Sequence, residues 1–223
     1  MGSPESEPNR DTDEYQHEVV ITHGFFMAEL ECSQALYESV TGKNPSGYKG
    51  NNHPVEKVTW NDATAFCNLL TTQHRQQGVL PQGWEWRLPT EAQWEYACRA
   101  GTTTPRPGEL DTIAWHRANR GEAHHPSGEL QPNNWGLFDM LGNVWEWCSD
   151  FYDAYPTNTV INPTGPSSGH YRTLRGASWY DAPDRARSAY RFWLPPDFMF
   201  ATLGIRPVLV PVSSSKPAIH ESE

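Results

Sequence analysis

At 223 residues and a formal net charge of −10, the chain is long enough for one sizeable domain. It is too acidic for nucleic acid or an anionic membrane surface, both of which call for a basic stripe. Nineteen Pro and seventeen Gly predict a loop-rich fold of short elements, with ten Trp, nine Tyr and eight Phe to fill its core.

Residues 1–18 are polar and acidic and read as an exposed lead-in. A single domain is expected over residues 19–212, with a disordered tail over 213–223. His17–Ile21 begins a strand, and Gly24–Ala28 gives a second one carrying the pair Phe25 and Phe26. Ser33 caps a first helix that runs to Val40 and stops at Gly42, and Asn44–His53 is a polar loop. Thr59 and Asp62 have capping-box spacing before the apolar stripe Ala63, Phe66, Cys67 and Leu70. Trp84–Leu88 reads as a short strand. Thr90 and Gln93 open a third helix with Trp94, Ala97 and Cys98 inward and Gly101 at its end. Thr102–Asn134 reads as mostly loop.

In Leu141–Asp150, strand alternation puts Trp145 and Trp147 on one face and Val144, Glu146 and Cys148 on the other. An enclosed Glu146 must find a cation, a metal or several donors. Beyond a long Pro/Gly/Thr loop, Arg172–Leu174 reads as a strand and Asp181–Pro183 as a turn. Phe192–Thr202 reads as a loop and Leu203–Val210 as a closing strand. The pattern is α+β. The four cysteines (Cys32, Cys67, Cys98, Cys148) form no C-x-x-C pair and read as buried, reduced thiols. No apolar run is long enough to span a membrane and no signal peptide opens the sequence. A cytoplasmic monomer without membrane insertion is the expectation, although a removed leader is compatible with the polar start.

Several motifs together carry a family resemblance. They are Met1-Gly-Ser-Pro4, Pro54–Trp60 with Ala65-Phe-Cys67, Arg87–Ala97, Asn134–Met140, Gly142–Trp147, Leu174–Trp179, and Arg187–Arg191 with Leu203–Arg206. In this order they resemble the formylglycine-generating-enzyme-like (sulfatase-modifying factor) family. That resemblance implies a C-type-lectin-like fold over nearly the whole chain. Oxidising members carry a cysteine pair between the motifs corresponding to Arg175–Trp179 and Leu203–Arg206, which holds copper(I). Here Ser178–Ser188 contains no cysteine, so formylglycine generation is not expected. A sulfur-coupling branch uses non-haem iron held by an additional helical domain, for which this chain has neither room nor motif. Neither copper nor iron is expected. His53, His124, His125 and His170 read as exposed loop residues rather than ligands.

The same resemblance implies a structural calcium held by Gly142, Asn143, Val144 and Glu146. The competing account of Glu146 is a buried ion pair with Arg175 or Arg206. Asp181, Asp184 and Asp197 each stand beside Pro or Arg and read as caps or ion-pair partners. The chain also resembles the variable proteins of diversity-generating retroelements, whose binding positions would fall at Tyr180, Asp181, Phe192, Trp193, Leu194, Phe198, Met199, Phe200, Ala201 and Thr202. A proline-held loop rich in aromatic residues reads independently as an exposed patch for a protein or small-molecule ligand. A non-catalytic binding module is therefore the leading expectation. An oxygen-dependent oxidoreductase or a transferase acting on a peptide or small thiol is the alternative.

Overall fold

A computed structural model of the chain describes residues 1–212; the expectation of a disordered tail lies outside the described residues. The elements run β1 (Val19–Val20), β2 (Phe26–Met27), α1 (Gln34–Thr41), α2 (Trp60–Gln76), β3 (Trp84–Arg87), α3 (Glu91–Arg99) and α4 (Leu110–Ile113). They continue with β4 (Ala114–Trp115), β5 (Leu141–Gly142), β6 (Trp145–Phe151), β7 (Val160–Ile161), β8 (Arg172–Arg175), β9 (Arg191–Leu194), β10 (Leu203–Gly204) and β11 (Val208–Pro211). This is an α+β architecture of few helices and short strands. No helix among the described residues is long and apolar enough to cross a membrane.

The helices start where their caps place them. Ser33 Oγ accepts from Leu36 N–H, and α1 ends at Gly42 with φ 74°. Thr59 with Asp62 and Thr90 with Gln93 form complete capping boxes at α2 and α3. These helices pack over a four-stranded sheet of order β10-β6-β8-β9 and a three-stranded sheet of order β2-β11-β3. Between them lies a core containing Phe66, Trp94, Trp147, Leu174 and Ile205. β6 is buried on both faces along Trp145–Cys148, so its two indoles and Glu146 are all enclosed. Gly142, with φ 79°, lets β5 run against β4, where a Cβ would collide with the Trp115 carbonyl.

Three expectations need correction. Residues 1–18 are not an exposed lead-in, because Ser3, Glu7 and Glu14 are buried. Arg187 donates to Glu7 Oε1 at 2.6 Å and to both oxygens of Glu14. Burial here is driven by ion pairing, which leaves no apolar periodicity for a sequence reading to detect. Leu203–Val210 is not one strand. β10 pairs with β6 and β11 with β3, and the chain crosses between the two sheets at Ile205–Pro207, carrying the buried Arg206 into the interior. Phe192–Leu194 are not loop residues but belong to the edge strand β9, paired with β8.

Asp150, at the end of the β6 spine, meets the start of α3 by accepting from Glu91 N–H at 3.0 Å. Burial, and then the neighbouring Glu91 carboxylate, push the Asp150 carboxyl from its ordinary 3.8 up to about 7. A carboxyl raised by folding stabilises the fold below its ordinary value, and that contribution is lost as pH rises through the folded value. The Asp150→Asn variant should therefore lose less stability than wild type between about pH 4 and 7. Urea midpoints measured across that window test this; parallel profiles would refute it.

Candidate functional site

The ten sequence-predicted binding residues do not share one structural situation. Phe192 and Leu194 are partly buried and pack against the core, with the Phe192 ring centroid 5.4 Å from that of Trp145. Trp193 points to the other face of β9 and lies over Tyr171 at 4.2 Å, with Tyr152 beside it at 5.8 Å. Phe198, Met199 and Phe200 are exposed, as is Tyr180, while Ala201 and Thr202 are half-buried.

The segment 195–202 is attached to the scaffold through its main chain. Trp60 N–H donates to the Pro196 carbonyl at 3.0 Å and Lys57 N–H to that of Phe200 at 3.1 Å. Trp145 N–H donates to the Thr202 carbonyl at 2.8 Å, and the Trp179 indole N–H to that of Ala201 at 3.2 Å. Phe198 and Phe200 lean on each other, with ring centroids 5.9 Å apart.

Sequence reasoning missed three neighbours of this surface. Tyr48, 42% exposed, sets its ring edge against both Trp179 and His124. Arg120 lies 4.6 Å above the Trp179 ring and 5.1 Å from that of Tyr180. Tyr171 extends the Trp193 patch. Only Tyr48 gave a local signal, as an aromatic residue in an otherwise polar loop.

Asp181 is placed differently from the exposed positions. One of its oxygens accepts from Ser178 Oγ at 2.5 Å and from the Trp145 indole at 2.9 Å, and the other from Arg185 at 3.0 Å. It is thus a cap and ion-pair partner under the patch. This segment, Ser178–Ser188, supplies no soft ligand. The four cysteines lie elsewhere, free and buried. Burial pushes Cys67 and Cys98 up to about 12 and Cys32 and Cys148 well above their usual range, so none offers a thiolate.

Of the four loop histidines, His170 is exposed as expected, while His53 and His125 are half-buried and His124 departs furthest. His124 is buried, its Nδ1 3.1 Å from that of His53 and its Nε2 3.8 Å from Glu56, and His125 stacks on Trp115 at 3.6 Å. The rings of Trp115, Tyr48 and Trp179 cover what the sequence presents as a polar loop. Among the described residues, the one set of three or more acidic, His or Cys residues whose ligand atoms lie mutually within 4.8 Å is Asp11, Asp13 and Glu14. Glu14 there is held by Arg187.

Glu146 has its partners within the protein. Oε1 accepts from Arg206 Nε at 2.8 Å and Oε2 from the Trp94 indole at 2.6 Å. The Asn143 amide donates to Glu31 and to the His125 carbonyl, while its oxygen accepts from His125 N–H. Both side chains of the set that the resemblance assigns to calcium, Asn143 and Glu146, are thus hydrogen-bonded within the protein, and Gly142 and Val144 bring main-chain carbonyls alone. The ion pair with Arg206, one of the two accounts of Glu146, is present.

The sequence pattern of the sulfatase-modifying factor enzyme 1-like domain matches residues 1–210. The chain belongs to that family. Among its relatives, the formylglycine-generating enzyme of Streptomyces coelicolor is 37% identical over 177 residues, covering 70% of this chain and 52% of that protein. The mouse enzyme is 34% identical over 198 residues, covering 79% of this chain and 50% of that protein. The chain thus spans about half the length of these curated relatives. Two solved members of the sulfatase-modifying-factor-like fold superpose over nearly the whole chain. Treponema denticola variable protein 1 gives a TM-score of 0.84 at 27% identity, covering 94% of this chain and 91% of that one. PvdO from Pseudomonas aeruginosa gives 0.80 at 25% identity, covering 94% and 90%. The family's C-type-lectin-like fold therefore accounts for residues 1–18 as well as the rest of the described chain.

Proposed function

We propose that this chain is a non-catalytic binding module whose ligand docks on the surface formed by Tyr180, Trp193 and Phe198–Phe200, with Tyr48, Tyr171 and Arg120 at its margins. The observation that carries this reading is the exposure of large apolar side chains on a segment held in place by its main chain. Tyr180, Met199, Phe200 and Phe198 are 58%, 58%, 49% and 42% exposed. Aromatic residues presented on a rigid frame are the usual anchors of protein recognition. The likeness to Treponema denticola variable protein 1 supports the same reading and adds the possibility of diversification. A near-copy of the 3′ coding region carrying adenine-directed substitutions, beside a reverse-transcriptase gene, is its genomic test.

The double variant Phe198→Ala/Met199→Ala should shift stability by no more than about 0.5 kcal/mol, because neither side chain belongs to the core. A ligand selected on the wild-type protein should no longer bind it. A much larger loss of stability would make these residues structural and remove the proposal.

The likeness to formylglycine-generating enzymes motivates the competing reading, an oxygen-dependent oxidase or a transferase. Against it stands the chemistry of Ser178–Ser188, where a hard carboxylate and a guanidinium occupy a region that a soft metal would need to find lined with thiolates. Titration with copper(I) should reveal no tight stoichiometric site, and a cysteine-containing peptide should produce no oxygen uptake. Stoichiometric copper with turnover would overturn the binding-module reading.

A further inference from the structure

A second candidate site lies away from the aromatic surface, in a cleft of about 670 Å³ between the three-stranded sheet and the β1–β7 pair. Its walls include Ile21, Ala92, Pro163 and Val210, and its charged residues are Glu85 and Arg87 of β3, with His23 at one side. Alternation along β3 turns Trp84 and Trp86 away from the cleft; Trp86 bonds His74 of α2 through its indole at 3.0 Å. The same alternation leaves Glu85 and Arg87 side by side on the cleft wall.

Arg87 is bonded differently from the guanidinium groups of the core. Arg175, Arg187, Arg191 and Arg206 each hold a carboxylate at 2.5–2.8 Å. Arg87 donates one bond, to Gln93 Oε1 at 3.2 Å, and among the described residues no carboxylate oxygen lies within ion-pair distance of it. Its other N–H groups are not among the buried unsatisfied atoms, and the residue lines the cleft. Gln93 Oε1 also accepts from Thr90 N–H at 3.0 Å. The capping box of α3 thereby fixes the amide that orients Arg87. Behind the arginine, Asp150 is engaged by Glu91 N–H and Ser149 Oγ. The Glu85 carboxylate has no hydrogen-bond donor among the described residues, and it too is not sealed from solvent.

We propose that this cleft binds a short apolar peptide of dipeptide length by its two free termini, the carboxylate on Arg87 and the ammonium on Glu85. Same-face neighbours on a strand are about 6.6 Å apart, and the termini of an extended dipeptide are separated by a similar span of about 6–7 Å. A guanidinium matches a carboxylate with paired N–H donors, and a carboxylate matches an ammonium in the same way. The apolar walls accept the peptide side chains, and a volume of this order suits a small ligand of that size. This site is independent of the surface around Phe198.

The test uses leucyl-leucine, its N-acetyl form and its C-terminal amide, followed by saturable NMR shifts of the Gln93 side-chain amide and the Arg87 Nε–H. On the wild-type chain the free dipeptide should bind about tenfold more tightly than the amide, and several-fold more tightly than the N-acetyl form. Arg87→Gln should reduce the free dipeptide to the level of the amide. Glu85→Gln should make the free and N-acetyl forms equal; this partly exposed strand position carries the test if the Arg87 variant does not fold. Equal binding of all three peptides to the wild type, or no saturable shift with any of them, would overturn the proposal. A Glu85→Gln variant that still discriminates against the N-acetyl form would do the same.

Discussion

Replacing Arg187 by alanine is expected to destabilise the fold by about 3–5 kcal/mol. For a chain of this size that corresponds to a fall of roughly 6–20 °C in Tm. The arginine is buried, donates to Glu7 and Glu14, and also meets the Asn9 carbonyl at 2.7 Å. Its removal strands two enclosed carboxylates facing each other without a cation. Burial alone would push Glu14 up, but the bonds from Arg187 and Ser3 more than offset it and hold the group below its usual range. The contribution of that carboxylate is thus present above its ordinary value and disappears as the medium is acidified. The loss should be regional as well as global. Limited proteolysis of Arg187→Ala should cut first within residues 5–13, while wild type resists. Glu7→Gln keeps a hydrogen-bond acceptor and should show a smaller version of both effects. An Arg187→Ala protein with wild-type urea midpoint and wild-type protease resistance would show that the first eighteen residues are held by something else.

Arg206→Leu should cost at least as much, about 4 kcal/mol or more, and the variant is expected to be recovered poorly. Arg206 donates to Glu146 and to the carbonyls of Ala28, Glu29 and Phe138, at 2.8–3.0 Å. It therefore ties the β6 spine to the segment preceding α1 and to the approach to β5. Two further carboxylates, Glu31 and Asp139, lie in the same region. Burial pushes both up, with added repulsion from Asp139 and Glu146 at Glu31 and from Glu146 at Asp139. One guanidinium serves the whole acidic group. Glu146→Gln keeps one acceptor oxygen, for Arg206, and turns its amide N–H2 toward the Trp94 indole N–H; it should cost about 1–3 kcal/mol. Thermal melting in calcium and in chelator should give the same midpoint for wild type, because both Glu146 oxygens already have donors. A calcium-dependent rise of several degrees would displace Arg206 as the group that balances Glu146.

What could be read from the sequence, and what could not, divides along physical lines. The three main helices were legible to within a residue or two because their signals are local. Ser33, Thr59 and Thr90 sit a fixed number of residues from the N–H groups they cap. The β6 spine was legible because an acidic residue between two indoles is hard to place anywhere but a satisfied interior. The exposed half of the candidate surface was legible too, since Phe198–Phe200 sit in a proline-held stretch with no helical or strand period. Relations set by distant residues were not legible. Phe192–Leu194 looks like the start of a loop until β8 offers it a partner. Asp181 looks like a turn residue at the surface, but Trp145, thirty-six positions earlier, brings its indole N–H to it. His124 looks solvated in sequence and is enclosed by Tyr48 and His53. The acidic first eighteen residues look solvated for the same reason, their partner Arg187 being about 175 positions away.

The attachment of segment 195–202 by its carbonyls has a consequence for how this protein changes over generations. Trp60, Lys57, Trp145 and Trp179 hold Pro196, Phe200, Thr202 and Ala201 by atoms that every residue type possesses. A codon change at 198, 199 or 200 rewrites what the molecule presents to its surroundings without touching a bond that fixes where it is presented. Mutational robustness and novelty, which oppose each other in a packed core, are separated here along one short stretch of chain.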